Sequence, residues 1–398
     1  MPLSQRTSIR TLAITNSLIT LLAAPALLAG DLTPPPGAVA PTMLPLDHAE
    51  PSTPITRADV PLTITEPGAY HLVENLDAEP RDAGLDCITI DAPGVLLDLR
   101  GFSITGDIAD RWDDAIELTA SAKQCVIRNG LLTGSMGNGI NATAAAGVTV
   151  DRIQAIANQQ SGIQLGAGAH VIDTVCADNS SRGVSAGLGS TFTRVTSRGN
   201  TSTGVFVSAS SVVTQCVSQG NQTGFIVGSG ATITDSAATQ NTTHGFSLSG
   251  AIASRCAATA NTLDGFNAND SLLTDCIART NSQHGFSLYR SAAQGCMSSG
   301  NTFYGMHAND ATLRNNSSFT NGASGILVET GANSLIDGNH CAGNAGPAIT
   351  SFIAPAWIVR NAAGYNETFI FIVGQADGGI TNNPETAGPW ANFLNSSR

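Results

Sequence analysis

Charge is scarce in this sequence: Asp, Glu, Lys and Arg make up only 12% of its 398 residues, and aromatic residues only 5%. So little charge excludes the self-repelling, expanded class of disordered chains. Of the 18 basic residues only Lys123 is a lysine, and the formal net charge is −12. Such a surface repels phosphate backbones and excludes nucleic acid as a partner. It also repels acidic polysaccharides unless a bound cation reverses the sign locally. Long apolar runs are missing after residue 30, so no bilayer span is expected in the mature chain. Eight cysteines occur without a Cys-x-x-Cys pair, a Cys/His cluster or dense spacing. That pattern argues against a zinc site and against a disulfide scaffold.

What is present is order of another kind. Residues 1–30 read as a signal peptide: Arg6 and Arg10 are followed by a mostly apolar stretch over 12–29, with small residues at Ala24, Ala26, Ala29 and Gly30. Thr11, Thr15, Asn16, Ser17 and Thr20 weaken the alternative of an uncleaved anchor. The mature protein is therefore expected in the periplasm, at the cell surface or secreted. Residues 31–60 carry Pro34, Pro35, Pro36, Pro41, Pro45, Pro51 and Pro54 and read as a linker. Residues 61–86 are expected to cap the first repeat of a body that runs to about residue 360. Residues 361–398 are expected to cover the other end, with Trp390 and Phe393 as plugs.

The body is periodic. Asn158, Asn179, Asn200, Asn221, Asn241, Asn261, Asn281, Asn301 and Asn321 recur every twenty or twenty-one residues. Usually four residues after each comes a Gly followed by an apolar residue, as in Gly245-Phe246, Gly265-Phe266 and Gly285-Phe286. Within each unit, Gly245-Phe246-Ser247-Leu248 and Ala251-Ile252-Ala253-Ser254-Arg255-Cys256 alternate with period two, the signature of strands. Asn and Gly mark the bends, since both tolerate left-handed backbone. A unit this short cannot bury an apolar face alone, so the units must stack as parallel strands, roughly 4.8 Å per coil. The fold class is all-β, a single-stranded right-handed parallel β-helix. Phe225, Phe246, Phe266 and Phe286 become an inward row, and the Asn residues a ladder of amides. Cys216, Cys256, Cys276 and Cys296 share one position as buried thiols, with disulfides between coils as the alternative and a metal site as a third reading.

Four coils carry a stripe denser in reactive side chains than the rest. Before each Gly stand His244, Asp264, His284 and Tyr304; two residues after it stand Ser247, Asn267, Ser287 and His307. At the strand ends lie Asn269-Asp270, Tyr289-Arg290 and Asn309-Asp310. Such a patch suits sugar, because His and Tyr offer flat faces while Asn, Asp and Arg form planar hydrogen bonds. It also suits proton abstraction beside a carboxylate, which needs a base, an acid and a cation. Tyr304, His284 and His307 are the candidate acid–base residues, and Arg290 the candidate neutraliser. His244, Asp264, Asn267, Tyr289, Asn309 and Asp310 are candidates for substrate binding. No metal motif is present; a Ca²⁺ site from Asp264, Asp270 and Asp310 is the one cofactor to consider. The pair Asp113-Asp114 reads as loop charge.

The run Val95-Leu96-Leu97-Asp98-Leu99-Arg100-Gly101-Phe102-Ser103-Ile104-Thr105-Gly106 follows Ile88-Thr89-Ile90-Asp91 and precedes Val126-Ile127-Arg128-Asn129-Gly130. Together they resemble the opening coils of pectin-lyase-like β-helix proteins, most closely the secreted right-handed β-helix repeat proteins of environmental bacteria. The resemblance spans residues 61–360 and implies the fold; lyases, hydrolases, epimerases, adhesins and spacers share it. Tyr304-Gly305-Met306 resembles the start of the Y-G-[FI]-D-P-H motif of mannuronan epimerases. His307 stands where that motif has its catalytic Asp, Asn309 replaces its His, and its lysine has no counterpart. Polygalacturonase signatures and the glycine-rich nonapeptides of calcium-binding β-rolls are absent. The expected role is interaction with extracellular polysaccharide by a monomer, as a lyase or epimerase of uronates. The alternatives are a non-catalytic binding module and a structural or adhesive envelope protein.

Overall fold

The computed structural model describes residues 52–366, apart from 83, 107–111, 331–332 and 353–355, and beyond them 370–372, 379–381 and 388–395. The expected signal peptide and residues 31–51 lie outside the described residues. Parallel strands form one ladder of 29 and another of 15, and no α-helix occurs among the described residues. Each regular coil gives one strand to the smaller sheet and two to the larger. Phe246–Ser249 is followed by Ile252–Ser254 and Ala257–Thr259. The chain is thus a right-handed parallel β-helix.

The register is the one the spacing predicts. Phe246 pairs with Phe266, Phe266 with Phe286, and Phe286 with Met306. The Phe rings from 225 to 286 stack at 4.9, 4.7 and 4.9 Å between centroids, within 7° of parallel. Ala238, Ala258 and Ala278 form a row of small buried side chains, while Ala253 stands in register between the large Ile233 and Leu273, so rows of different size fill the interior. Outside the core runs the amide ladder. The backbone N–H and Nδ2 of Asn241 both donate to Asn261 Oδ1, at 3.1 and 2.9 Å, and the pattern repeats down to Asn344 and Asn366. These bonds satisfy backbone amides at a bend where no strand partner is available.

The bends differ from expectation in one respect. The left-handed residues are those just before the Asn, such as Gln240, Ala260 and Thr280, with φ from 50 to 56°. The metre's glycines are required by space instead. A Cβ on Gly245 would sit 2.8 Å from Asn261 Nδ2 and 2.7 Å from Gly265 O.

All eight cysteines are buried and free. Burial pushes the Cys216 and Cys341 thiols up to about 12, whereas the hydrogen bond with Cys276 holds the Cys296 thiol below its ordinary value; all eight sulfurs fill space in the core. The row of Cys216, Cys256, Cys276 and Cys296 changes identity at Asn316, whose Oδ1 accepts the Cys296 N–H at 2.8 Å. From there Asn316, Asn339, Asn361 and Asn392 form a second amide ladder that the spacing did not reveal.

Both ends extend further than expected. Ser52–Ile55 already pairs with Gly68–Leu72, inside the stretch read as linker. Leu62–Ile64 pairs with Ile88–Ile90, so residues 61–86 contribute a rung of their own. Ala362–Gly364 pairs with Phe393 and its neighbours, carrying the ladder past residue 360. Trp390 is 57% exposed and does not plug the interior.

Candidate functional site

Because Phe246, Phe266, Phe286 and Met306 point inward, the next residue of each strand points out. Ser247, Asn267, Ser287 and His307 therefore form one column on the face of the fifteen-strand sheet. His244, Asp264, His284 and Tyr304 form a second column at the preceding bend. The two columns meet: the His284 ring lies 5.1 Å from Tyr304 in near-parallel stacking, and 5.0 Å from His307. Tyr304 and His307 are 6.1 Å apart. Phe303, exposed beside them, approaches His284 edge-on at 6.0 Å.

Carboxylates organise this group. Asp264 is buried, and its Oδ1 accepts the backbone N–H of His284 at 3.0 Å. Its Oδ2 stands 3.4 Å from His244 Nδ1, a contact without hydrogen-bond alignment, since that nitrogen has no hydrogen-bond partner. Asn267 Nδ2 donates to His244 Nε2 at 3.4 Å. The Tyr304 backbone N–H donates to His284 Nδ1 at 3.4 Å, which places the proton of neutral His284 on Nε2. Burial pushes the His284 pKa down, opposed by Asp264, so the ring is neutral at pH 7.

His307 Nε2 lies 2.7 Å from Glu329 Oε2. An imidazole that donates from Nε2 to a carboxylate keeps Nδ1 free as an acceptor, the arrangement of a general base with its orienting acid. Sequence reasoning missed Glu329 because the pairing shifts there: Ala308 faces Val328 but Asn309 faces Thr330, a bulge that takes Glu329 out of the strict alternation. Its only signal was the longer interval from Asn321 to Asn344.

The remaining candidates gather at the far end of the same strands. Arg290 Nε and Nη2 each contact Asp270 at 2.7 Å, and its guanidinium lies 4.4 Å over the Tyr289 ring. Its charge is therefore engaged by a carboxylate one coil away. Asp270, Arg290 and Asp310 have φ of 50, 45 and 50° in a corner column that is glycine at 147, 168, 189, 230 and 250. Asn309 follows Tyr289 in register. Asp264 sits at the other end of the strand Phe266–Asn269 from Asp270, so the three candidate calcium carboxylates do not converge; among the described residues no three His, Cys, Asp or Glu side chains are grouped to hold a metal ion.

The same two columns, followed to the N-terminal end, hold a second constellation. Glu117 is in register with Thr89 and Asn141, outward on the sheet, while Asp86, Asp114 and Asn138 occupy the bend positions. Asp114 is buried, not loop charge as expected; only Asp113 is exposed. Asp114 Oδ1 accepts Asn138 Nδ2 at 3.0 Å, its Oδ2 accepts Asn141 Nδ2 at 3.1 Å, and its N–H donates to Asp86 Oδ1 at 3.0 Å. Burial, then the charges of Asp114, Asp86 and Asp113, push Glu117 up to about 8. Between the two ends Arg182 lies 4.5 Å over Phe206.

A family model described as "Right handed beta helix region" matches residues 186–309. Among solved structures the chain is similar to the A-module of a mannuronan C-5 epimerase from Azotobacter vinelandii, with 16% identity over 82% of this chain and 91% of that one, TM-score 0.40. It is also similar to a periplasmic alginate epimerase, with 12% identity over 77% and 76%, TM-score 0.37. The catalytic domain of a GH87 alpha-1,3-glucanase matches at 12% identity over 84% and 62%, TM-score 0.32. At these identities the likeness concerns the fold alone. No curated protein matches the chain.

Proposed function

We propose that the C-terminal half of the fifteen-strand sheet's outer face binds an extracellular polysaccharide and carries out proton transfer on it, as a lyase or epimerase of uronates. The observation that carries this reading is the His307–Glu329 pair at 2.7 Å, set beside a neutral, half-buried His284 and the Tyr304 ring. His307 Nδ1 takes the proton from the carbon next to the uronate carboxylate, while Glu329 stabilises the imidazolium. Tyr304 O–H or His284 Nε2–H donates to the leaving oxygen or to the opposite face of the ring. Asp264 positions His284 through its backbone. Removal of such a base costs roughly 10²–10⁴-fold in rate.

The test is solvent exchange. Alginate and pectate incubated with the protein in D₂O, with and without Ca²⁺, should gain deuterium at C5 or form an unsaturated product absorbing in the ultraviolet. His307→Ala should abolish this and Glu329→Gln should reduce it. Exchange that persists in His307→Ala, or none with any polymer, overturns the catalytic reading. A second reading, a non-catalytic binding module, is favoured by the pairing of Arg290 with Asp270, which leaves the uronate carboxylate without its expected counter-charge. It predicts binding without exchange, lost in His284→Ala and Tyr304→Ala.

A further inference from the structure

Tryptophan is rare here, three residues in the whole chain, and two of them are exposed. Trp112 is fully buried, whereas Trp357 and Trp390 are 56% and 57% exposed. Both stand on the outer side of the larger sheet, away from the histidine face, at the C-terminal end. Trp357 follows Leu335 in register, and Val359 follows Asp337, which follows Arg314. Trp390 occupies the next rung after Val359, because its carbonyl accepts the Arg360 N–H at 3.2 Å as the Val359 carbonyl accepts that of Gly338. Asn392, two residues on, is locked into the second amide ladder by Asn361 at 2.9 Å, so Trp390 is held by the fold itself.

Together these residues line a cleft of about 560 Å³. Leu335 and Val359 form its apolar floor and the two indoles its walls. Arg360 is committed to the frame: Nε contacts Asp337 Oδ1 at 2.7 Å, and the guanidinium lies 5.5 Å from the Trp390 ring centroid. Arg314, also on the lining, makes no ion pair with any described residue. Exposed indoles are unfavourable in water unless something covers them, and an unpaired guanidinium beside them selects an anion. The cleft is open, so its occupant keeps one edge in solvent. A pyranose ring meets all three demands: its C–H face stacks on indole, its hydroxyls stay wet, and an acidic substituent reaches Arg314.

We infer that this cleft is a separate binding site for an acidic sugar residue, with Trp357 and Trp390 as stacking faces and Arg314 as the carboxylate contact. It is independent of the reaction proposed above. Intrinsic fluorescence reads it directly, since two of the three emitters line the cleft. Trigalacturonate titrated into the full chain should give a saturable change in emission, weakened by salt. Trp357→Ala should weaken binding about tenfold, and Arg314→Gln should remove the preference for trigalacturonate over neutral cellotriose. His307→Ala should leave the titration unchanged. Trp390→Phe, which keeps a ring, serves where Trp390→Ala disturbs the last rung. A non-saturable response, binding indifferent to Trp357→Ala, or equal affinity for cellotriose in the parent protein would each overturn the inference.

Discussion

The two ends of the fifteen-strand sheet's outer face have the same backbone and opposite chemistry. Near the N-terminus the outward columns hold Asp86, Asp114 and Glu117, with Asn138 and Asn141 both donating to Asp114. Near the C-terminus they hold His244, Asp264, His284, Tyr304 and His307. In both, one column lies at the bend and one on the strand, about 4.8 Å per rung. The ladder therefore dictates where a side chain stands and leaves open which side chain it is. At one end burial drives a carboxylate towards its protonated form; at the other it drives an imidazole towards its neutral form. Both shifts have the same leading cause, removal of water from a charged group, to which the neighbouring carboxylates add at Glu117.

The comparison breaks most severely where the interior is touched. Phe266→Ala removes the middle of the ring stack and should cost about 3–5 kcal/mol. Because each coil leans only on its neighbours, hydrogen exchange should accelerate around residues 244–310 while the coil bearing Glu117 keeps its protection. Uniform loss at both ends would mean that the solenoid unfolds as one unit.

A smaller effect separates the two ends by pH. The Glu117 pKa is raised from 4.5 to about 8, so its favourable contribution is complete below pH 4.5 and is lost as pH rises through 8. Glu117→Gln cannot ionise. Its melting temperature relative to the parent should rise between pH 5 and 8, then level off, and thermal melts across that range would detect it. A pH-independent difference would show that Glu117 ionises normally.

The smallest effect concerns the corner beside the histidine end. Asp270→Asn loosens an exposed pair, so the melting temperature should move by about 1 °C or less. The same change frees Arg290, and retention of the protein on immobilised pectate at low salt should increase. Weaker retention would assign Asp270 itself a part in binding.

The fold was legible because Asn-to-Gly spacing and the Phe row are regular between residues 158 and 326, where twenty-residue units keep identical corners. The histidine stripe was found by the same phase. The carboxylate end was not, because Ile88, Ile116 and Ile140, its inward markers, stand further apart than twenty residues, and wider corners hide the phase. Asp114 lies outside the regular Asn-to-Gly metre and so reads as loop, although it falls in the His284 column. Glu329 was hidden by a bulge. The pairing of Arg290 with Asp270 is a contact between consecutive corners, and composition alone does not separate it from a free cation.

The amide ladder has a direction, since every Asn side-chain oxygen takes its protons from the rung before it. Any rung can thus follow any other, provided the joint falls at the same phase. Deleting residues 242–261 would pass the Asn241 N–H straight to Asn281 and bring Phe246's successor into its place. Deleting half as many (242–251) would break the ladder, because Ser271 rather than an Asn would then stand one turn after Asn241. The length of such a molecule is therefore counted in whole turns, and evolution can lengthen or shorten the surface between its two chemical ends without redesigning either.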